Sequence, residues 1–187
     1  MSEILSRFLA APDDGSLGPV LRMADDRLPA GAGYGPHEHR AVDVVAVVLA
    51  GELRHRWGSG ALLRAGDVAL LRAGTGLTHD EVAGDRGARV LQTYLRSAEP
   101  AAPARHDVRA TARGWVDLGR SDVRLWIGRA APGNALAVPA GFRVVAEDDA
   151  GAGAADAPAG ELTVGAPATV LVWQVDTRRP DWATAFP

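Results

Sequence analysis

An all-β fold follows from three features of this sequence. Short apolar runs alternate with Gly, Pro and Asp turn signals, helical periodicity is nearly absent, and two pairs of metal-type donors stand at i, i+2 spacing. Those pairs are His37-x-His39 within GYGPHEHR and His79-x-Glu81 within GTGLTHDE. Residues i and i+2 of a β-strand project from one face, so each pair can aim two donors at one point.

The expected strands run in order over Pro19–Met23, His37–Leu49, Glu52–Trp57, Ala61–Leu63, Asp67–Arg72, Thr78–Val82 and Arg89–Leu95. Between them lie Ala50-Gly51, Gly58-Ser59-Gly60, Ala65-Gly66, Gly74-Thr75-Gly76 and Gly84-Asp85-Arg86-Gly87. Each suits a tight turn that needs a positive φ. Such spacing closes a small barrel. The Pro- and Ala-rich segment Ser97–Arg105 then reads as a linker. The chain accordingly divides into a barrel over 1–98, a linker over 99–106 and a reduced β domain over 107–187. In that second part strands are expected at Gly114–Leu118, Val123–Ala130, Phe142–Glu147 and Ala168–Asp176, and Asp148–Gly160 reads as a mobile acidic loop.

Composition narrows the function classes. A net charge of −3 and a pI near 5.9 argue against a nucleic-acid or membrane-surface role, which would need a basic face. All the basic residues are arginine, which is read as genomic codon bias. Without cysteine there are neither disulfides nor thiolate ligands. The N-terminal stretch MSEILSRFLAAPDDG lacks a signal-peptide layout, and no apolar run approaches the ~20 residues of a membrane span, so a cytoplasmic location is expected.

The donor chemistry is sharper. His37, His39, His79 and Glu81 offer three neutral imidazoles and one carboxylate, a set suited to iron, manganese, copper, nickel or zinc rather than calcium. Glu81 is preferred to Asp80 because only Glu81 shares a face with His79. If the strand runs unbroken from His37, then Asp43 also faces the site. It would there accept from the free ring N–H of a ligating histidine, whereas a twist or bulge would turn it to solvent. His55 shares a face with Leu53 and Trp57 and points inward, either as a core histidine bonded to backbone or as a residue lining the pocket. His106, beside the linker, reads as a solvated surface residue.

The blocks Asp25-Asp26-Arg27, GYGPHEHRAVDVVAVVLAGELRHRW, LLRAGDVALLRAGTGLTHDE and VLQTYL, spread over residues 20–96, resemble the N-terminal barrel of the pirin family of cupins. The resemblance implies a bicupin, two tandem jelly-roll barrels, with the second here small or incomplete. It also implies one mononuclear metal, most often iron, on His37, His39, His79 and Glu81. Where the family usually has Pro and Ser between the paired donors, this chain has Glu38 and Asp80, and its glutamate after the first pair is Asp43. The loop after His55, commonly rich in Asp and Ser, reads Arg56-Trp57-Gly58-Ser59.

Two functions follow from the resemblance. One is a quercetin 2,3-dioxygenase type of oxygenase acting on a small chelating aromatic substrate. Four protein ligands would leave two positions on an octahedral metal, and Glu81 would accept the substrate's hydroxyl proton. The other is a non-enzymatic, redox-sensing regulator that works through a protein partner.

Overall fold

The computed structural model describes residues 3–178. Among them are fifteen β-strands and no α-helix, and therefore no helix long and apolar enough to cross a membrane. The chain divides into two units. One takes in Val20–Thr111 together with the segment through Ala11, and the other Pro12–Pro19 together with the segment from Ala112 onward.

The first unit is built on two long strands. β4 (Val42–Arg56) and β7 (Leu77–Arg96) pair antiparallel along most of their length, from Val42 opposite Arg96 to Arg56 opposite Asp80. The outer half of β7 pairs on its other edge with β2 (Val20–Leu28), and its inner half with β3 (Gly33–His39). β1 (Leu5–Ala10) extends the β2 edge. β5 (Ala61–Arg64) and β6 (Val68–Arg72) lie on β4, and β8 (Arg105–Arg109) lies on β6.

The Gly-rich segments on β4 and β7 bend strands instead of ending them. Ala50-Gly51 stays inside β4 as bulges between Val48 and Ala50 and between Gly51 and Leu53, and Gly84–Gly87 stays inside β7. Each bulge adds a residue and local twist without breaking the ladder, which is how a sheet curls toward closure. Gly51 has φ 71°, and a Cβ there would strike the carbonyl oxygen of Gly87. The curl wraps an apolar cluster of Leu28, Val48, Leu53, Leu63, Ala83 and Val90, with Tyr34 packed against it.

A strand break occurs where the sequence reading assumed continuity. Ala41 adopts φ 54°, so β3 stops at His39 and β4 begins at Val42. A left-handed residue between the two strands cancels the alternation argument for Asp43. Its buried carboxylate instead accepts a hydrogen bond from Ser97 Oγ at 3.0 Å.

The boundary between units also moves. Residues 105–109 were expected as the end of a linker and the start of the second domain, but they form β8 in register with β6, Leu71 opposite His106. The division therefore falls after Thr111.

The second unit carries a five-stranded sheet in the order β13, β12, β15, β10, β9, among the described residues, with a separate β11–β14 pair. Its strands are β9 (Gly114–Val116), β10 (Val123–Ala130), β11 (Leu136–Val138), β12 (Gly141–Glu147), β13 (Ala152–Ala157), β14 (Gly160–Leu162) and β15 (Ala168–Val175). The expected mobile loop thus contains β13, which pairs with β12 from Gly141 opposite Ala157 to Ala146 opposite Ala152. Its small side chains leave the backbone free to add to an edge, which composition alone misreads as disorder. The core of this unit gathers Val138, Val170 and Val172 with Trp126 and Leu136 against them. Residues 179–187 of the expected second domain lie outside the described residues.

One charge pair braces the first unit. Arg89 donates two hydrogen bonds to Asp25, at 2.8 and 2.7 Å, and both side chains are buried. Removing one member of such a pair strands the other charge in a medium that solvates it poorly. Arg89→Met is expected to lower the unfolding free energy by about 3–5 kcal/mol in urea titrations. Pairing it with Asp25→Asn should recover part of that loss, and an Arg89→Met protein of unchanged stability would contradict this account.

Candidate metal centre

The site is assembled by strand register. β7 lies between β3 and β4, and the ladder sets His37 directly opposite His79, while Glu81 stands opposite His55 on one side and Tyr34 on the other. Directly opposed residues share a face with Cβ atoms about 4.5–5.5 Å apart, so pairing alone crowds these side chains. A bulge between Tyr34 and His37 shifts the register between the two rows. Close contact between β3 and β7 requires a glycine. A Cβ on Gly33 would collide with the Glu81 carbonyl oxygen.

His37, His39 and His79 come together with donor atoms within 4.8 Å of one another. Their ring centroids are 4.8 Å (His37 to His39), 4.4 Å (His37 to His79) and 5.0 Å (His39 to His79) apart. Glu81 closes instead with His79 and His55 in a second group that meets the same limit. The four donors expected from the sequence thus fall into two overlapping groups sharing His79. The division has a register cause, since Glu81 is one row further along β7, beside His55.

The carboxylate of Glu81 is hydrogen-bonded at one oxygen and in close contact with two imidazoles at the other. Gln92 Nε2 donates to Oε2 at 2.7 Å, and Tyr94 Oη in turn donates to Gln92 Oε1 at 3.2 Å. Oε1 lies 3.3 Å from His55 Nε2 and 4.0 Å from His79 Nε2. The Arg22 guanidinium stacks 4.2 Å over the Tyr94 ring, whose centroid is 5.6 Å from that of His39.

Burial dominates the electrostatics. It raises the Glu81 carboxyl to about 7, against the lowering effect of the Gln92 hydrogen bond. It lowers His39 and His79 to about 4, with His37 adding to both shifts, and lowers His55 to about 3. The three shifted imidazoles are therefore neutral at physiological pH, as metal ligands must be.

The residues present fit a divalent metal. His37 Nδ1 donates to the Gly35 carbonyl oxygen at 2.8 Å, which leaves Nε2 with its lone pair free. His39 Nε2, His55 Nε2 and both ring nitrogens of His79 are buried without a hydrogen-bond partner among the described residues. Buried polar nitrogens are normally satisfied, and four orphans on three neighbouring imidazoles, His39, His55 and His79, fit a site that takes a metal. His37, His39, His79 and Glu81 would hold it.

The remaining expected site residues are placed as follows. His55 is buried, as its strand face implied, but its Nδ1 meets His106 Nε2 at 3.2 Å and not the backbone. His106 is correspondingly half-buried on β8 and not a solvated surface residue. Glu38 is exposed, and Asp80 pairs with Arg56 at 2.6 Å, so neither joins the donors. Sequence reasoning missed Gln92, Tyr94 and His106. The VLQTYL block flagged the first two only as part of a motif, and the β6–β8 pairing that brings in His106 leaves no local signal.

Comparisons with known proteins agree with this geometry. The model of the Pirin family matches residues 6–95. A candidate quercetin 2,3-dioxygenase of Pseudomonas aeruginosa is 39% identical over 72 residues, covering 37% of this chain and 31% of that protein. A pirin-like protein of Solanum lycopersicum is 30% identical over 95 residues, 49% of this chain and 33% of that one. The chain thus matches about a third of the length of these curated relatives.

The structural likeness is longer and fainter. The pirin YhhW of Escherichia coli, solved in complex with nickel(II), covers 92% of this chain and 91% of its own at 19% identity and a TM-score of 0.67. A quercetin 2,3-dioxygenase of Acinetobacter baumannii covers 94% of this chain and 82% of its own at 20% identity and a TM-score of 0.70. At such identity the likeness establishes the fold, a bicupin.

Opposed titrations give the metal-free protein a defined pH response. The folded values of His39, His55 and His79 lie below the usual 6.5, so the stability they contribute above that pH is lost as pH falls through about 4, and for His55 through about 3. Glu81 acts in the other sense. Its raised value means that stability present below pH 4.5 is lost as pH rises through about 7. Glu81→Gln should therefore stabilise the metal-free protein at pH 8 by about 2 kcal/mol, with most of that gain gone at pH 5. Calorimetric melting at the two pH values checks this, and a loss of stability at pH 8 would refute the buried-carboxylate account.

Proposed function

From the premise that residues 6–95 form a pirin-family barrel, we propose that this chain is a mononuclear metal-binding cupin that oxygenates a small chelating aromatic substrate, in the manner of a quercetin 2,3-dioxygenase. The observation that carries it is the cluster itself: three imidazoles, two of them with buried, unpartnered nitrogens, beside a buried carboxylate. The names of the Pseudomonas and Acinetobacter relatives support the substrate class. Iron is the first metal to test, and the nickel complex of YhhW makes nickel the second.

A bound divalent metal would supply Lewis acidity to the hydroxyl and keto oxygens of a chelating substrate. The protein's own groups do the rest. Glu81 is the group placed to take the hydroxyl proton. Gln92 keeps Oε2 engaged, so that Oε1 is the oxygen that exchanges the proton. The rings of Tyr94 and Tyr34 lie beside His39 and His37, with Tyr34 also packed against the apolar cluster.

Protein purified without added metal and then loaded with iron(II) is expected to hold about one ion per chain and to bleach the flavonol absorbance band in air. His39→Ala should abolish both, whereas Glu81→Gln should slow bleaching by at least about 100-fold. An iron-loaded protein that leaves the band unchanged across several flavonols would overturn the oxygenase reading while leaving metal binding to stand or fall by elemental analysis.

A further inference from the structure

The pair formed by His55 and His106 is not accounted for by metal binding alone. His55 Nδ1 and His106 Nε2 are 3.2 Å apart, on rings tilted by 29° with centroids 5.1 Å apart. On its far side, His55 Nε2 lies 3.3 Å from Glu81 Oε1, a close contact in which no hydrogen bond is formed in this structure. His55 is buried and comes from β4, directly opposite Glu81 on β7, while His106 arrives from β8 on the outer side of β6.

Two neutral imidazoles can hydrogen-bond in only two ways here. If His55 held its proton on Nδ1 and donated outward, a bare nitrogen lone pair would face a carboxylate oxygen at 3.3 Å, lone pair against lone pair. If His106 donates from Nε2, the His55 proton sits on Nε2 and faces Glu81. Only the second arrangement is attractive at both ends when Glu81 is ionised, the state in which it can hold a cation.

Resting on the assignment of Glu81 as a metal ligand, we propose that His106 is a positioning residue of the centre. Its Nε2–H fixes the tautomer of His55, and the His55 Nε2–H in turn orients the Glu81 carboxylate. The arrangement also decides between the two donor groups. A His55 protonated on Nε2 has no lone pair to offer there, so His55 orients Glu81 and does not ligate, although it lies within ligand distance of His79 and Glu81. The carboxylate is then hydrogen-bonded by Gln92 at one oxygen and faces the His55 Nε2–H at the other, 3.3 Å away. Contacts of this kind to metal ligands typically change affinity about 10–100-fold when removed.

The test begins on the unaltered, metal-free chain labelled with 15N. At pH 8, nitrogen–nitrogen coupling across the hydrogen bond is expected between His106 Nε2 and His55 Nδ1, with the bridging proton on His106. A proton found on His55 Nδ1 overturns the proposal. Nickel(II) affinity is then measured by competition with a chromophoric chelator. His106→Phe keeps the ring volume but cannot donate, and is expected to weaken binding about tenfold. His106→Gln, whose amide N–H can donate to His55, should stay within about threefold of the parent. Equal affinity in the parent and both variants, or equal loss in both variants, overturns the proposal. A parent chain that takes up no nickel would refute the metal assignment instead, and the coupling measurement would still decide the role of His106.

Discussion

Everything at the centre depends on β7 being hydrogen-bonded along both edges. A strand flanked on each side holds its side chains in two fixed rows, and here one row sets His37 against His79 while the next sets Tyr34, Glu81 and His55 across three strands. A slip of one residue would turn His79 and Glu81 away from the interior together. Three features guard against it: the bulges in β4, the Gly33 approach to Glu81, and the Arg89–Asp25 pair beside them.

Register supplies proximity, and burial supplies chemistry. Three neighbouring imidazoles kept neutral and one carboxylate pushed toward neutrality are each costly to bury without a partner. The first unit meets part of that cost internally, through the Gly35 carbonyl on His37, Gln92 on Glu81 and His106 on His55. His79 remains without a partner on either ring nitrogen among the described residues, and it belongs to both donor groups. That is the position a metal ligand shared by the whole centre would occupy.

Much of this was legible in the sequence because it depends on local alternation. The i, i+2 spacing of His37 with His39 and of His79 with Glu81, and the inward face of His55, needed only a strand and a parity count. What was not legible depends on contacts remote in sequence or on single dihedral angles. Asp43 faced the site only on an unbroken strand and turned to solvent otherwise; Ala41 takes a left-handed conformation that nothing in RAVDV announces, and Asp43 is buried against Ser97. His106 was misread because proline and alanine before it mimic a linker, whereas its neighbour in space is β6, more than thirty positions earlier. β13 was hidden by a composition of Ala, Gly and Asp that resembles a disordered loop. The pairing of Glu81 with His55 was available in principle, but only once the register of β4 on β7 was known.

The central claim is that His37, His39, His79 and Glu81 hold one metal while His55 stands behind Glu81. X-ray absorption at the metal edge of the nickel- or iron-loaded chain tests it most directly. The account predicts three imidazole scatterers and at least one oxygen in the first shell, with the imidazole signal unchanged in His55→Gln and reduced by one in His79→Ala. A fourth imidazole that disappears in His55→Gln would contradict it, as would a first shell unaffected by His79→Ala.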